Sequence, residues 1–146
     1  MKKLFISAVL VLSLTVSSFA ADVNKVNSKA LRNFSYEFSN AENVNWTSTE
    51  NYLKASFTLN KKNMDAFYDV EGNILGTSSK IDLTDLPTIA KRSFAKKYSG
   101  YTVTEAIRFD ATDETAYFIS AQDEARSLIL KVSDKGMVSV FKSVKK

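Results

Sequence analysis

The alternation of apolar and polar positions becomes regular near residue 28. Leu31, Phe34 and Phe38 recur three and four positions apart, which places them on one face of a helix, and Asn40 and Asn43 end the pattern. With Asn27 or Ser28 as the cap, the spacing predicts a helix over 28–40. The period then changes to two. Val44 and Trp46 alternate with Asn45 and Thr47, and Leu53, Ala55, Phe57 and Leu59 alternate with Tyr52, Lys54, Ser56 and Thr58, as in half-buried strands. Val44 is expected to face inward, and Trp46 on the same face to be core, with a contact residue as its alternative. Asn60-Lys61-Lys62-Asn63 turns the chain, Met64 to Val70 predicts a third strand, and Glu71-Gly72-Asn73 is a hairpin turn leading into a fourth, Ile74 to Ile81.

The same order of elements is then written again. Asp85 is a good cap, Pro87 falls in a first turn, and Leu86, Ile89, Ala90 and Phe94 form an apolar stripe, so a second helix is expected over 85–98. Four strand candidates follow: Tyr101 to Phe109, Thr115 to Gln122, Arg126 to Ser133 and Met137 to Val144, the last pair joined by Asp134-Lys135-Gly136. Phe34 matches Phe94, and Phe38 matches Tyr98, in each case sixty positions on. The chain therefore repeats a unit of one helix and four antiparallel strands, about 22–82 and 83–146.

A four-stranded sheet with one helix is marginal alone, so an α+β fold is expected. It would be a single domain, residues 22–146, in which one curved antiparallel sheet of about eight strands carries both helices on one face. The other face is then left to water. Its alternating residues are Tyr52, Lys54, Ser56, Thr58, Asp65, Phe67 and Asp69 from the first repeat, and Phe118, Ser120, Gln122, Ser127, Ile129 and Lys131 from the second.

The N-terminus changes the compartment. Met1-Lys2-Lys3, an apolar run from Leu4 to Val16, and small residues at Ser18 and Ala20 are the parts of a secretory signal cut after residue 20. A periplasmic or secreted location is expected, with no stable membrane anchor after cleavage. Without Lys2 and Lys3 the chain keeps 18 basic against 16 acidic side chains, interleaved throughout, which argues against a nucleic-acid partner. With no cysteine there are no disulfides, so stability rests on the core.

Several of these residues carry a resemblance. Val44-x-Trp46, Tyr52, Phe67-Tyr68-Asp69 with Gly72, Leu86-Pro87, and Tyr98-Ser99-Gly100-Tyr101 together resemble the exported PepSY-like family, whose fold is similar to that of the β-lactamase inhibitor protein. The resemblance spans nearly all of the expected mature chain. It implies a tandem helix-plus-strands repeat, a concave sheet, no catalysis, and a role in binding or inhibition.

The side-chain inventory removes most chemistry. Histidine and cysteine are both absent, so histidine-activated nucleophiles, thiol catalysis and the usual zinc sites are not available. Asp69 with Glu71, and Asp110 with Asp113 and Glu114, are carboxylate groups that could hold a hard cation or act as acid and base, but they fall where turns and strand ends use acidic residues anyway. No enzyme, metal or cofactor is expected. A non-catalytic module binding an envelope or extracellular protein is the leading reading, through Tyr52, Lys54, Asp65, Phe67, Asp69, Phe118, Ile129 and Lys131. Its alternative is a periplasmic binder of a small ligand or polymer. Phe67, flanked by Asp65 and Asp69, is expected to be exposed, either as a contact residue or as a cross-strand partner shielding the sheet.

Overall fold

The computed structural model describes residues 26–146; residues 1–25, including the expected signal segment, lie outside the described part. In chain order the elements are α1 (Ser28–Glu37), β1 (Glu42–Ser48), β2 (Leu53–Leu59), β3 (Lys62–Tyr68), β4 (Ile74–Lys80), a 3-10 turn (Leu83–Asp85), α2 (Thr88–Lys97), β5 (Thr102–Ala111), β6 (Thr115–Gln122), β7 (Arg126–Ser133) and β8 (Val138–Lys145). The eight strands form one antiparallel sheet in the order β1 to β8, so the α+β fold is as expected. Two compact units divide between Gly76 and Thr77, inside β4, and each is described by itself.

In the first unit Asn27 caps α1 through its side chain, which accepts from the Lys29 N–H at 2.7 Å. The helix buries Ala30 and Phe34 against Trp46, Leu53, Ala55, Phe57, Ala66 and Tyr68. Phe34 is the centre of this core: its ring lies 5.3 Å from Phe38, 5.4 Å from Trp46 and 5.0 Å from Phe57, the last two edge to face. Trp46 is core, as its alternation predicts. Val44 is not, and stands 41% exposed. The β1–β2 register shifts between Glu42 and Asn45, with Asn43 at a φ of 54°, so a bulge cancels the period on which Val44's inward position rested. The β2–β3 connection needs only two residues, Asn60 and Lys61, both at positive φ as the tight hairpin turn requires.

In the second unit the helix starts later than the sequence suggests. Leu86 precedes Pro87, and the proline ring pushes it to extended backbone, φ −67° and ψ 151°, so helical geometry cannot pass through it. Asp85 closes the separate 3-10 turn, where its carboxylate accepts from the Asp82 N–H at 3.1 Å. Leu86 and Ala90 pack on Ile119, Leu128, Leu130 and Val132, with Phe94 half-buried beside them. Ile89, expected in the buried stripe, is 60% exposed. It leans over the β7–β8 turn instead.

That turn shows how each unit closes. Gly136 has a φ of +81°, and a Cβ there would stand 2.9 Å from the Ile89 Cβ and 3.2 Å from the Ala90 nitrogen. Gly72, in the β3–β4 turn, has a φ of +87°, and its Cβ would meet the Ala30 nitrogen at 2.7 Å. In both units a glycine turn seats directly on the helix at an alanine with no exposed surface. Glycine is required twice over, for the backbone conformation and for the close approach.

Candidate functional site

Each unit has a side of its strands turned away from its helix, and the alternation in sequence identified that side correctly. In β2 and β3 the helix-side residues are Leu53, Ala55, Phe57, Ala66 and Tyr68. The opposite side brings together Tyr52, Lys54, Asp65 and Phe67. Lys54 pairs directly with Phe67 and Ser56 with Asp65, and the Tyr52 and Phe67 rings lie 6.1 Å apart.

Exposure is where the expectation fails. Phe67 is 3% exposed, and Tyr52, Phe118 and Ile129 are buried as well. These positions are therefore not lined up against water. Flanking aspartates suggested exposure for Phe67, but each has its own partner. Asp65 accepts from the Ser56 hydroxyl at 2.6 Å, which satisfies a half-buried carboxylate. Asp69 lies beyond the end of β3, and its two carboxylate oxygens accept from the Asn73 backbone N–H and side-chain amide, both at 2.8 Å. Asp69 thus serves its own turn and does not join the other four residues. Burial raises the pKa of the Tyr52 hydroxyl, and the charge of Asp65 raises it further.

In the second unit Phe118 pairs with Lys131 and Ser120 with Ile129 on the helix-free side. Lys131 is half-buried and forms an ion pair with Glu114 at 2.9 Å. The sequence reading missed Phe141. The β7–β8 register shifts between Ile129 and Leu130, so Phe141 is the extra residue of a bulge, and its ring sits 5.5 Å from Phe118, edge to face. Alternation from Val138, which packs on the helix-side core, already puts Phe141 on the helix-free side, so the signal was available; the bulge sets Lys142, the next residue, opposite Ile129.

Of the carboxylates that could serve chemistry, Asp69, Asp110 and Glu114 are engaged. Asp110 accepts from Arg108 Nε at 2.9 Å and from the Thr115 hydroxyl at 2.8 Å, while Glu114 is held by Lys131. Among the described residues no group of three or more acidic side chains could hold a metal ion. Nor is any described helix long and apolar enough to cross a membrane.

A cleft of about 620 Å³ opens elsewhere in the second unit, lined by Gly100, Thr102, Gln122, Asp123, Glu124, Ala125 and Lys146. The Asp123 carboxylate there accepts from the Ala125 and Arg126 N–H groups, both at 2.8 Å, while Tyr101, outside the lining, packs with the helix-side core. Those backbone donors are the main reason that the Asp123 carboxyl lies below its ordinary value.

No family model matches the chain, and no curated protein does. Solved structures do. A candidate periplasmic protein from Bacteroides eggerthii superposes with a TM-score of 0.72 at 13% identity, covering 82% of this chain and 88% of the other. A DUF2874 family protein from Bacteroides ovatus gives 0.71 at 16% identity, covering 81% and 86%. A BLIP-like protein from Bacteroides fragilis gives 0.68 at 15% identity, covering 82% and 85%. At such identities the likeness is one of fold: the chain shares the architecture of DUF2874 and BLIP-like proteins.

Proposed function

We propose that this chain is an exported, non-catalytic binding module related to the PepSY-like proteins, whose partner is a protein of the envelope or the extracellular medium. The observation that carries the reading is the recurrence, in both units, of an aromatic pair on the helix-free side: Tyr52 with Phe67, and Phe118 with Phe141. Half-exposed Lys54, Asp65 and Lys131 frame these pairs. Packed aromatics hold a rigid floor, and charged side chains around them select the partner, the division of labour found in protein interfaces. The fold likeness to a BLIP-like protein supports binding, with inhibition as one consequence, and the likeness to a candidate periplasmic protein supports export.

The test is capture from a native envelope extract, with wild-type protein and the variants Lys54→Glu, Lys131→Glu and Phe141→Ala as baits. A specific protein ligand retained by wild type and lost by at least one folded variant is expected. Equal retention by all three variants, or no saturable protein ligand at all, overturns the reading.

A further inference from the structure

The two repeats close alike but present different side chains where they close. In the first unit the glycine turn seats on the helix beside Lys29, and Lys29 Nζ donates to the Asn73 side-chain oxygen. The matching positions of the second unit are Ile89, beside Gly136, and Met137, which takes the place of Asn73 in the turn's hydrogen bonds. Both are apolar and stand out, Ile89 60% and Met137 68% exposed. Since a polar pair serves the same closure in the first unit, the turn itself does not require them.

Charge changes in the same places. Lys96, Lys97 and Lys135 stand where the first unit has Tyr36, Glu37 and Glu71, and Arg92 stands where it has Arg32. Arg92 and Lys96 follow Ile89 at three and seven positions, so they share its face of α2, and Lys135 lies two residues before Met137 in the turn. All four cations are exposed, and none forms an ion pair among the described residues. Asp134, the acid of that turn, accepts from the Lys135 backbone N–H at 2.8 Å. The result is an apolar tip flanked by an excess of positive charge, found in the second unit and not in the first.

A second copy of the chain is a poor occupant, because two such patches repel. We propose that this tip docks reversibly on an anionic lipid surface, with Ile89 and Met137 entering between the headgroups and Arg92, Lys96, Lys97 and Lys135 lying over the phosphates. An apolar pair that stands out, instead of lining a hollow, fits a layer that parts around it, and each cation near an anionic layer adds to the attraction. Two apolar side chains are too few to hold by themselves, so attachment needs both contributions. The tip belongs to the helix side of the second unit, away from the Phe118–Phe141 pair, and it is tested without any protein partner. It and the protein-binding reading therefore fail independently.

The experiment sediments the chain without residues 1–20 together with vesicles of phosphatidylcholine alone, or of phosphatidylcholine and phosphatidylglycerol in equal parts, at low salt. Binding to the anionic vesicles and not to the neutral ones is expected, weakening as salt is added. The double variant Ile89→Lys, Met137→Asn gives the second unit the pair that the first already accommodates, and it adds a positive charge. Attraction by charge alone would hold or rise in that variant, whereas insertion of the tip predicts a loss of about tenfold or more. Arg92→Gln with Lys96→Gln should weaken binding at least about fivefold. Should the double variant lose its native thermal transition, Met137→Asn alone, in the exposed turn, should still bind more weakly than wild type. Equal binding to both vesicles, no loss in the Ile89 and Met137 variants, or binding to polyglutamate but to neither vesicle overturns the proposal, the last by assigning the tip to an acidic protein.

Discussion

Asp69 and Ser133 hold equivalent places in the two repeats by the same three hydrogen bonds. The Asp69 N–H donates to the Asn73 carbonyl at 2.9 Å, and the Asp69 carbonyl accepts from Gly72 at 3.0 Å. Its side chain accepts from the Asn73 N–H at 2.8 Å. Ser133 does likewise with Met137 at 3.0 Å, Gly136 at 2.9 Å and, through its hydroxyl, the Met137 N–H at 3.1 Å. A carboxylate and a hydroxyl therefore do one job. Asp69→Ser is expected to be nearly neutral to stability, whereas Asp69→Ala should cost about 1 kcal/mol by leaving the Asn73 donors unmatched. Urea midpoints of the two variants check this; an equal loss in both would show that the second carboxylate oxygen, which holds the Asn73 side-chain amide, outweighs the backbone bond.

The glycines of those turns give a sharper contrast. Gly72→Ala and Gly136→Ala each force a side chain into left-handed backbone, a strain of about 1–3 kcal/mol. Gly72→Ala should be the worse of the two. Its new methyl would strike the helix backbone at Ala30 at 2.7 Å, while at Gly136 the nearest atoms, the Ile89 Cβ and the Ala90 nitrogen, stand farther off at 2.9 and 3.2 Å. Thermal melts that rank them the other way would mean that α1 yields more easily than α2.

The helices, the hairpin turns and the side of each strand were legible in the sequence because each rests on local periodicity or on turn chemistry. Phe34, Trp46 and the alternation from Tyr52 to Leu59 fall where the pattern puts them. What escaped depended on a single inserted residue or on cover from elsewhere. The bulge at Asn43 interrupts the pattern beside Val44, which stands exposed, whereas Phe141 lies beside Phe118 on the side that alternation from Val138 gives it. The exposure of Phe67 was misread because alternation reports which side a residue faces, and carries no information on what covers that side.

Tyr68 presents an internal cost. It has no exposed surface, its hydroxyl finds no hydrogen-bond partner among the described residues, and burial raises its pKa strongly, with the charge of Glu37 adding to the effect. Because the hydroxyl was stripped of water without compensation, Tyr68→Phe should be neutral or stabilising by up to about 1 kcal/mol. Tyr68→Ala should cost about 3–5 kcal/mol, since the ring packs 5.7 Å from Trp46. A loss above about 1 kcal/mol in Tyr68→Phe would show that the hydroxyl is bonded in solution.

Phe67 is now a stability residue first. Removing a ring that is 3% exposed should cost about 3–5 kcal/mol in Phe67→Ala, comparable to Phe34→Ala. Phe94→Ala should cost less, since that ring is only half-buried. Denaturant unfolding of the three variants measures the order. A Phe67→Ala loss below about 1 kcal/mol would return this residue to the surface.

The remaining prediction concerns acid. Asp123 holds the β6–β7 turn by accepting from Ala125 and Arg126, and its folded pKa lies below the ordinary 3.8. As pH falls, the unfolded chain takes up the proton first. The charge of Asp123 therefore favours the folded state fully above the ordinary value, and that contribution fades as pH drops through the lower, folded one. Asp123→Asn keeps an acceptor oxygen in the turn and removes the charge. Its urea midpoint should lie below wild type at about pH 6, and the gap should shrink as pH falls below the ordinary carboxyl value. A gap of constant size across that range would mean that the charge contributes nothing and that the turn depends on the hydrogen-bond geometry alone.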